Sequence, residues 1–175
     1  MSELQLCYWN LRGFGEAIVL MLEYLGVKYN YKRYTMANQP EWFEKDKASF
    51  QGDFANLPYL MDGDTRITES MAIMRCLGRK FKNLYPVNEE EERKCDVAQG
   101  AVLDFRMIFT KLIYGDDYDK QKDAFIEGLP DTLSKFEKVL SKHTWLTGKS
   151  PRRIDTLISH NMFEFFNNFP EVDFG

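Results

Sequence analysis

Apolar positions along the first eighty residues follow two different periods. Leu4–Trp9 is a short apolar run ending in two aromatics, the pattern of a strand. Asn10–Phe14 is a glycine-containing loop. Glu16–Leu25 places Ile18, Leu22 and Leu25 at i, i+4 and i+7, one face of a helix that Gly26 ends. Tyr29–Thr35 alternates and reads as a second strand. Pro40–Lys47 is a short charged helix with proline at its start. Leu57–Met61 and Arg66–Thr68 flank the turn signal Asp62–Gly63–Asp64, which predicts a hairpin. Ser70–Lys80 is a helix with Ile73, Met74 and Leu77 turned inward.

The order β-α-β-α-β-β-α predicts an α/β thioredoxin-like layer, a four-stranded mixed sheet with helices on both faces. In such a layer Pro58 occupies the place of a cis proline. Phe81–Asn88, with Pro86 and Asn88, reads as a linker. Beyond it the period is helical throughout. Glu89–Tyr114 opens on acidic residues, which suits a helix N-terminus, and spaces Val97, Ala101, Phe105, Ile108 and Leu112 along a stripe. Phe125, Leu129, Leu133, Phe136 and Leu140 form the next stripe. Ile154, Leu157, Ile158, Asn161 and Phe165 form the last. The expected organisation is an α/β domain over 1–82 and an all-α C-terminal domain over 89–175.

Composition narrows the function classes. The chain has 175 residues, 44% hydrophobic and 29% charged, with a net charge of -4. It carries no long basic block, which argues against nucleic acid and anionic membrane as partners. No run approaches the ~18–20 apolar residues of a membrane span. The N-terminus does not read as a signal peptide. Cys7, Cys76 and Cys95 are odd in number and far apart, so neither a disulfide framework nor a zinc site is expected. A reduced, cytoplasmic protein is the expectation. His143 and His160 lack companion ligands, and no metal site is predicted.

Three places carry candidate chemistry. Tyr8 ends a strand and precedes a loop leading into a helix, the edge of an α/β sheet where ligands bind. A tyrosine hydroxyl there can donate a hydrogen bond to a bound thiolate. By position alone it reads first as a core or edge aromatic with its hydroxyl in water. Glu69–Ser70 opens a helix: Ser70 can cap it, or its N–H groups can face a carboxylate. Trp42 and Lys47, on the short charged helix or just after it, could serve a second ligand carboxylate. Cys7 lies within the first strand rather than at a helix N-terminus and is expected to be buried and inert.

Read together, these pieces resemble a known family. Tyr8–Trp9–Asn10–Leu11–Arg12–Gly13 is similar to the opening motif of mu-class glutathione transferases. Asn56–Leu57–Pro58–Tyr59–Leu60, Asp62–Gly63 and Glu69–Ser70–Met71–Ala72–Ile73 resemble that family's glutathione-binding stretch. The likeness continues through Gly100–Asp104 and Leu129–Pro130. The resemblance implies an enzyme that conjugates glutathione to hydrophobic electrophiles in detoxification, as a homodimer, with glutathione as co-substrate and no cofactor. It implies that Tyr8 bonds the glutathione sulfur and that Leu57, before a cis Pro58, pairs with the cysteinyl part. Glu69 and Ser70 would hold the γ-glutamyl end. Trp42, Lys47 and Asn56 would hold the glycyl end, supported by Trp9 and Arg12. Asp104 would reach the γ-glutamyl amine across a dimer interface. Phe54 and Arg75 would lie at that interface, and Phe14, Met107 and Tyr114 would line the electrophile pocket.

Three departures from the family pattern stand out. Position 69 is Glu where the mu class usually has Gln. The last helix has Asp155, but Arg152 stands where the family has a Ser or Thr cap, a loss of ~0.5–2 kcal/mol. The chain ends at Gly175, where relatives continue, so Phe163, Phe165, Phe166 and Phe169 are expected to lack a cover. The runner-up reading is a non-catalytic glutathione- or ligand-binding protein of the same fold. A thiol–disulfide oxidoreductase is disfavoured by the position of Cys7.

Overall fold

A computed structural model of the chain describes residues 3–50, 52–82 and 84–169. The chain divides into two compact units, Met1–Asn83 and Leu84–Gly175.

The first unit is built on a four-stranded sheet. Its strands are β1 (Leu4–Trp9), β2 (Tyr29–Tyr34), β3 (Tyr59–Asp62) and β4 (Thr65–Thr68), in the order β2-β1-β3-β4. β1 runs parallel to β2 and antiparallel to β3, and β4 completes the hairpin. β1 is central and almost wholly apolar because it has a neighbour on each side. The β1–β2 crossover carries helix α1 (Glu16–Tyr24), which buries Ala17, Ile18, Met21 and Leu22. Gly26 stops α1 at φ 61°. Its N–H bonds the Glu23 carbonyl at 3.0 Å, and the Val27 N–H bonds that of Leu22 at 3.1 Å. This paired closure needs a left-handed residue, which glycine supplies without a Cβ clash.

Between β2 and β3 the chain makes a 3-10 turn, Met36–Asn38, and a wide π-helical turn, Glu41–Asp46, where the sequence predicts a short helix. The Leu57–Pro58 peptide is cis, as expected. Helix α2 (Ser70–Phe81) packs on α1, β3 and β4 and buries Ser70, Ile73, Met74, Leu77 and Gly78. That i, i+3, i+4, i+7, i+8 set is the apolar stripe of a helix lying on a core.

The second unit holds α3 (Glu89–Tyr114), α4 (Tyr118–Leu140) and α5 (Arg153–Asn168). α3 begins where expected: the Asn88 side chain accepts the Glu91 N–H at 2.9 Å, and four glutamates fill the first turn. Its stripe differs from expectation. Phe105 and Leu112 are buried with Cys95 and Val102, whereas Val97 and Ile108 are 70% and 54% exposed. Over 26 residues the helix carries two apolar seams. One faces α5 and α4. The other lines an open cleft of about 720 Å³ beside α4, with Val97, Ala101, Phe136 and Val139 among its walls.

The expected bare aromatics on α5 also need correction. Phe165 and Phe169 are fully buried, and Phe163 is exposed, at 47%. The side chain of Phe166 lies outside the described residues. Phe165 and Phe169, one turn apart, meet Phe109 and Phe125, and Phe165 also meets Phe105, with ring centroids 5.2–6.2 Å apart across the group. Such aromatic pairs add ~0.5–1.5 kcal/mol beyond burial.

The start of α5 shows how the lost cap is offset. Asp155 accepts the Arg152 N–H at 2.7 Å and the Leu146 N–H at 3.1 Å. A guanidinium has no acceptor, so Arg152 cannot return the favour through its side chain. Instead its carbonyl takes the Asp155 N–H at 2.9 Å. Its guanidinium reaches Glu91 of α3 at 2.8 and 2.7 Å. Arg153 meets Asp96 of the same helix at 2.8 Å. Both arginines are buried. Each pair therefore ties α5 to α3 through a buried arginine and a partner that is partly open to water, Glu91 at 25% and Asp96 at 51%.

Replacing Asp155 with Ala strips the partner from two N–H groups in a buried setting. At roughly 1–3 kcal/mol per buried donor, Asp155→Ala is expected to lower stability by about 2–5 kcal/mol in urea unfolding. A loss below about 1 kcal/mol would show that Asp155 does not hold this junction.

Candidate functional site

The first unit concentrates the predicted site residues at the C-terminal edge of β1. Tyr8 is 5% exposed, and its hydroxyl oxygen accepts the Phe14 N–H at 3.0 Å. The β1–α1 loop reaches this position because two glycines leave room. A Cβ on Gly13 would lie 2.5 Å from the Tyr8 hydroxyl, and one on Gly15 would lie 2.5 Å from the ring carbon Cδ1. Gly13 also needs φ 38°, which side-chain-bearing residues rarely adopt. The start of the loop is pinned to β2 by the bond from the Asn10 N–H to the Tyr34 carbonyl, 2.6 Å. A hydroxyl that accepts an N–H retains a proton to donate, and the accepted bond polarises it.

Around Tyr8 lies a cluster that brings several predicted residues together. Tyr8, Trp42 and Leu57 pack with Cys7, Tyr34 and Tyr59, and Trp9 and Phe50 lean on them. Trp42 is only 2% exposed; its indole stacks on Tyr59 at 5.8 Å and tilts against Tyr34 at 5.7 Å. It is a core residue first. Trp9 is half-buried between Tyr34 and Phe43, at 6.0 and 5.9 Å. Arg12 and Lys47 are exposed, Lys47 directly after the π-helical turn. The Leu57 N–H, expected to pair with a ligand, donates to the Asn56 side-chain oxygen at 2.9 Å. A ligand that uses that N–H must displace Asn56.

Position 69 holds the most unusual backbone of the unit. Glu69 has φ 66° and ψ 112°, and α2 begins at the next residue. Ser70 is therefore the first helical residue, not the cap, and no side chain caps this end among the described residues. A left-handed non-glycine residue costs ~1–3 kcal/mol and persists where its surroundings hold it, commonly at ligand sites. It leaves the first N–H groups of α2 for an incoming carboxylate.

Burial pushes the Cys7 thiol up to about 11, so it stays protonated and unreactive near neutral pH. Burial, with Cys7 beside it, also pushes the Tyr59 hydroxyl up to about 12. Neither group titrates near neutral pH.

The remaining predicted residues stand elsewhere. Phe54 is 76% exposed in the loop before the cis peptide, and Arg75 is half-buried on α2. Phe14, at 37% exposure, lies on the loop that closes over Tyr8. Asp104, Met107 and Tyr114 belong to α3 in the second unit, Asp104 on the wall of its cleft and the other two strongly exposed. No group of three or more acidic, cysteine or histidine residues is arranged to hold a metal among the described residues. No helix there is long and apolar enough to cross a membrane. Sequence reasoning missed one feature: an ionic knot of Lys32, Glu41, Asp46 and Tyr34 beneath the π-helical turn.

Comparison with known proteins points one way. The family profile for the glutathione S-transferase N-terminal domain matches residues 4–79. The chain is 40% identical over 166 residues to glutathione S-transferase Mu 6 of Mus musculus, covering 90% of this chain and 76% of that protein. It is 38% identical over 161 residues to glutathione S-transferase Mu 7 of Rattus norvegicus, covering 90% and 73%. Among solved structures, a Pi-class glutathione S-transferase of Onchocerca volvulus superposes with a TM-score of 0.83 at 31% identity, over 97% of this chain and 80% of that one.

The fit of the loop to Tyr8 makes position 15 sensitive. The atoms that a Cβ would strike sit at the root of the Tyr8 ring, which cannot swing aside without leaving its place. Gly15→Ala is expected to destabilise the protein by about 1–3 kcal/mol, the usual cost of overpacking. An unchanged unfolding midpoint would mean that the loop has slack.

Proposed function

The chain belongs to the glutathione S-transferases, and from that premise we propose that it joins the thiol of reduced glutathione to electrophilic small molecules, with Tyr8 activating the thiol. The observation that carries this reading is the Tyr8 hydroxyl itself. It is fixed by the Phe14 N–H under a glycine loop, in the same cluster as Leu57, which precedes the cis Pro58. An O–H donated to a thiolate is charge-assisted and contributes roughly 1.5–3 kcal/mol. At ~1.4 kcal/mol per unit, that lowers a thiol pKa by about one to two units from ~8.5. The thiol proton leaves to solvent, and the thiolate sulfur attacks the electrophilic carbon and expels its leaving group.

The other assignments follow the shape of the cradle. The uncapped start of α2 after Glu69 suits the γ-glutamyl carboxylate, with Ser70 as donor and Glu69 opposite the ammonium. Lys47, Trp42 and Asn56 suit the glycyl carboxylate, with Trp9 and Arg12 in support. Leu57 pairs with the cysteinyl part once Asn56 releases its N–H. Phe14, on the loop that closes over Tyr8, is assigned to the electrophile. This reading treats glutathione as a co-substrate and calls on no other cofactor. Three free cysteines, two of them buried, suit the cytoplasm.

We also read the protein as a homodimer. Phe54 is a large ring left exposed on a loop, and the α3–α4 cleft is an apolar slot wide enough for one. Phe54 of one copy seated in the cleft of a second would bury both, bring Arg75 to the contact, and place Asp104 where it could serve the neighbouring copy's γ-glutamyl amine.

Retention on immobilised glutathione followed by conjugation of a model aryl halide tests the activity; retention without turnover would favour a binding protein instead. Tyr8→Phe is expected to raise the thiol pKa of bound glutathione by about one to two units and to lower kcat/KM about ten- to a hundredfold near neutral pH, with affinity for glutathione nearly unchanged. An unchanged pKa, read from thiolate absorbance, removes Tyr8 from the mechanism. For the interface, Phe54→Ala should weaken dimerisation by about 2–4 kcal/mol, as loss of a central anchor does. Sedimentation showing the parent chain already monomeric at micromolar concentration would overturn that assignment.

A further inference from the structure

The π-helical turn Glu41–Asp46 has little to hold it on its own. It is six residues long, far below the length at which a helix is stable alone, and Phe43, Glu44 and Lys45 are exposed. Yet Trp42 and Lys47, both assigned to the ligand, ride on it. Besides Phe43, which leans on Trp9, two contacts hold it. One is the Trp42 indole, sunk between Tyr34 and Tyr59.

The other is ionic. Lys32 Nζ on β2 donates to Glu41 at 2.6 Å and to Asp46 at 2.6 Å, so one ammonium joins the first and last residues of the turn. Asp46 also accepts the Tyr34 hydroxyl at 2.6 Å, and that hydroxyl lies 3.3 Å from the hydroxyl of Tyr59. Tyr59 directly follows the cis Pro58. Asn38 adds a longer bond to Glu41, 3.4 Å. Tyr34 is fully buried and Asp46 largely so, while Lys32 and Glu41 are partly open to water, so the knot joins the buried sheet to the surface turn. Burial raises the Asp46 carboxyl, but the bonds from Lys32 and Tyr34 outweigh it and hold the group below its ordinary range. Asp46 therefore stays ionised while the knot is intact.

We propose that Asp46, with Lys32 and Tyr34, forms a positioning centre that fixes the turn bearing Trp42 and Lys47 and thereby sets affinity for the glycyl carboxylate of glutathione. This rests on the reading that the chain binds glutathione. None of the three residues needs to touch the ligand. They act through the turn, so their loss should be felt at one end of the tripeptide only. The γ-glutamyl end depends on the start of α2, and the thiol end on Tyr8, which meets the knot through the ring and backbone of Tyr34; the substitutions below leave that ring and backbone in place.

The test compares glutathione with γ-glutamylcysteine, which has the same thiol and γ-glutamyl parts but lacks the glycyl residue. In the full chain, Asp46→Asn and Lys32→Met should each raise the dissociation constant and KM for glutathione about five- to tenfold. The dissociation constant for γ-glutamylcysteine, kcat at saturating glutathione and KM for the aryl halide should stay within about twofold. Lys32→Arg, which keeps the charge, should restore glutathione affinity. Equal weakening of both thiols, or of neither, overturns the proposal, as does a fall in kcat in step with the rise in KM. If Asp46→Asn does not fold, Lys32→Met and Tyr34→Phe carry the same comparison. A parent chain that binds neither thiol overturns the glutathione reading itself. A parent chain that binds glutathione, with variants that bind it equally well, overturns the positioning centre alone.

Discussion

The close approach of the β1–α1 loop to the ring of Tyr8 is the constraint on which the first unit depends. Two missing Cβ atoms, at Gly13 and Gly15, let the backbone run against the ring and let the Phe14 N–H reach the hydroxyl. The same loop must also connect the central strand to α1 and return the chain to a parallel neighbour. Strand, loop and helix therefore fix the ring jointly. The tyrosine is packed on its sides and bonded at its tip, and its position is a property of the backbone rather than of a rotamer choice. That is the preorganisation a hydrogen bond to a developing anion requires, because no reorganisation remains to be done when charge appears.

The second unit achieves its rigidity by different means. Its phenylalanines close on one another, and Phe165 and Phe169 find cover on α3 and α4. Polar groups also enter this unit's interior: Arg106 donates to Asn161 at 2.9 Å, and Asp155 takes two backbone N–H groups. The opposite seam of α3, by contrast, stays open and apolar. One helix thus serves an interior on one side and presents a receptive slot on the other.

Much of this was legible in the sequence where the signal is local. Asn88 with its run of glutamates marked the start of α3, Gly26 marked the end of α1, and Asp62–Gly63–Asp64 marked the hairpin. The cis peptide at Pro58 was legible only through the element order, because the dipeptide itself is uninformative. What was not legible depends on partners distant in sequence. Periodicity showed that Phe165 had an apolar face but not which rings would meet it. Val97 and Ile108 have the right spacing for a core and face the cleft instead. Glu69 carries no mark of its left-handed backbone, since a carboxylate has no bias toward that conformation. Lys32, Glu41 and Asp46 carry no local signal of one another, and only the fold of β2 under the turn brings them together.

The start of α5 has a consequence for the order in which the chain folds. A serine or threonine cap is a contact across three residues and can form in an isolated helix. Arg152 retains the local bond to Asp155, three residues on, but its guanidinium grips Glu91, sixty-one residues back. The second anchor of α5 therefore exists only after α3 has formed and docked. Trading a local cap for a distant ion pair raises the sequence separation of the contacts that hold this helix, and contacts of that kind form late because the intervening chain must first be closed into a loop. α5 is thus a helix that waits for its neighbour.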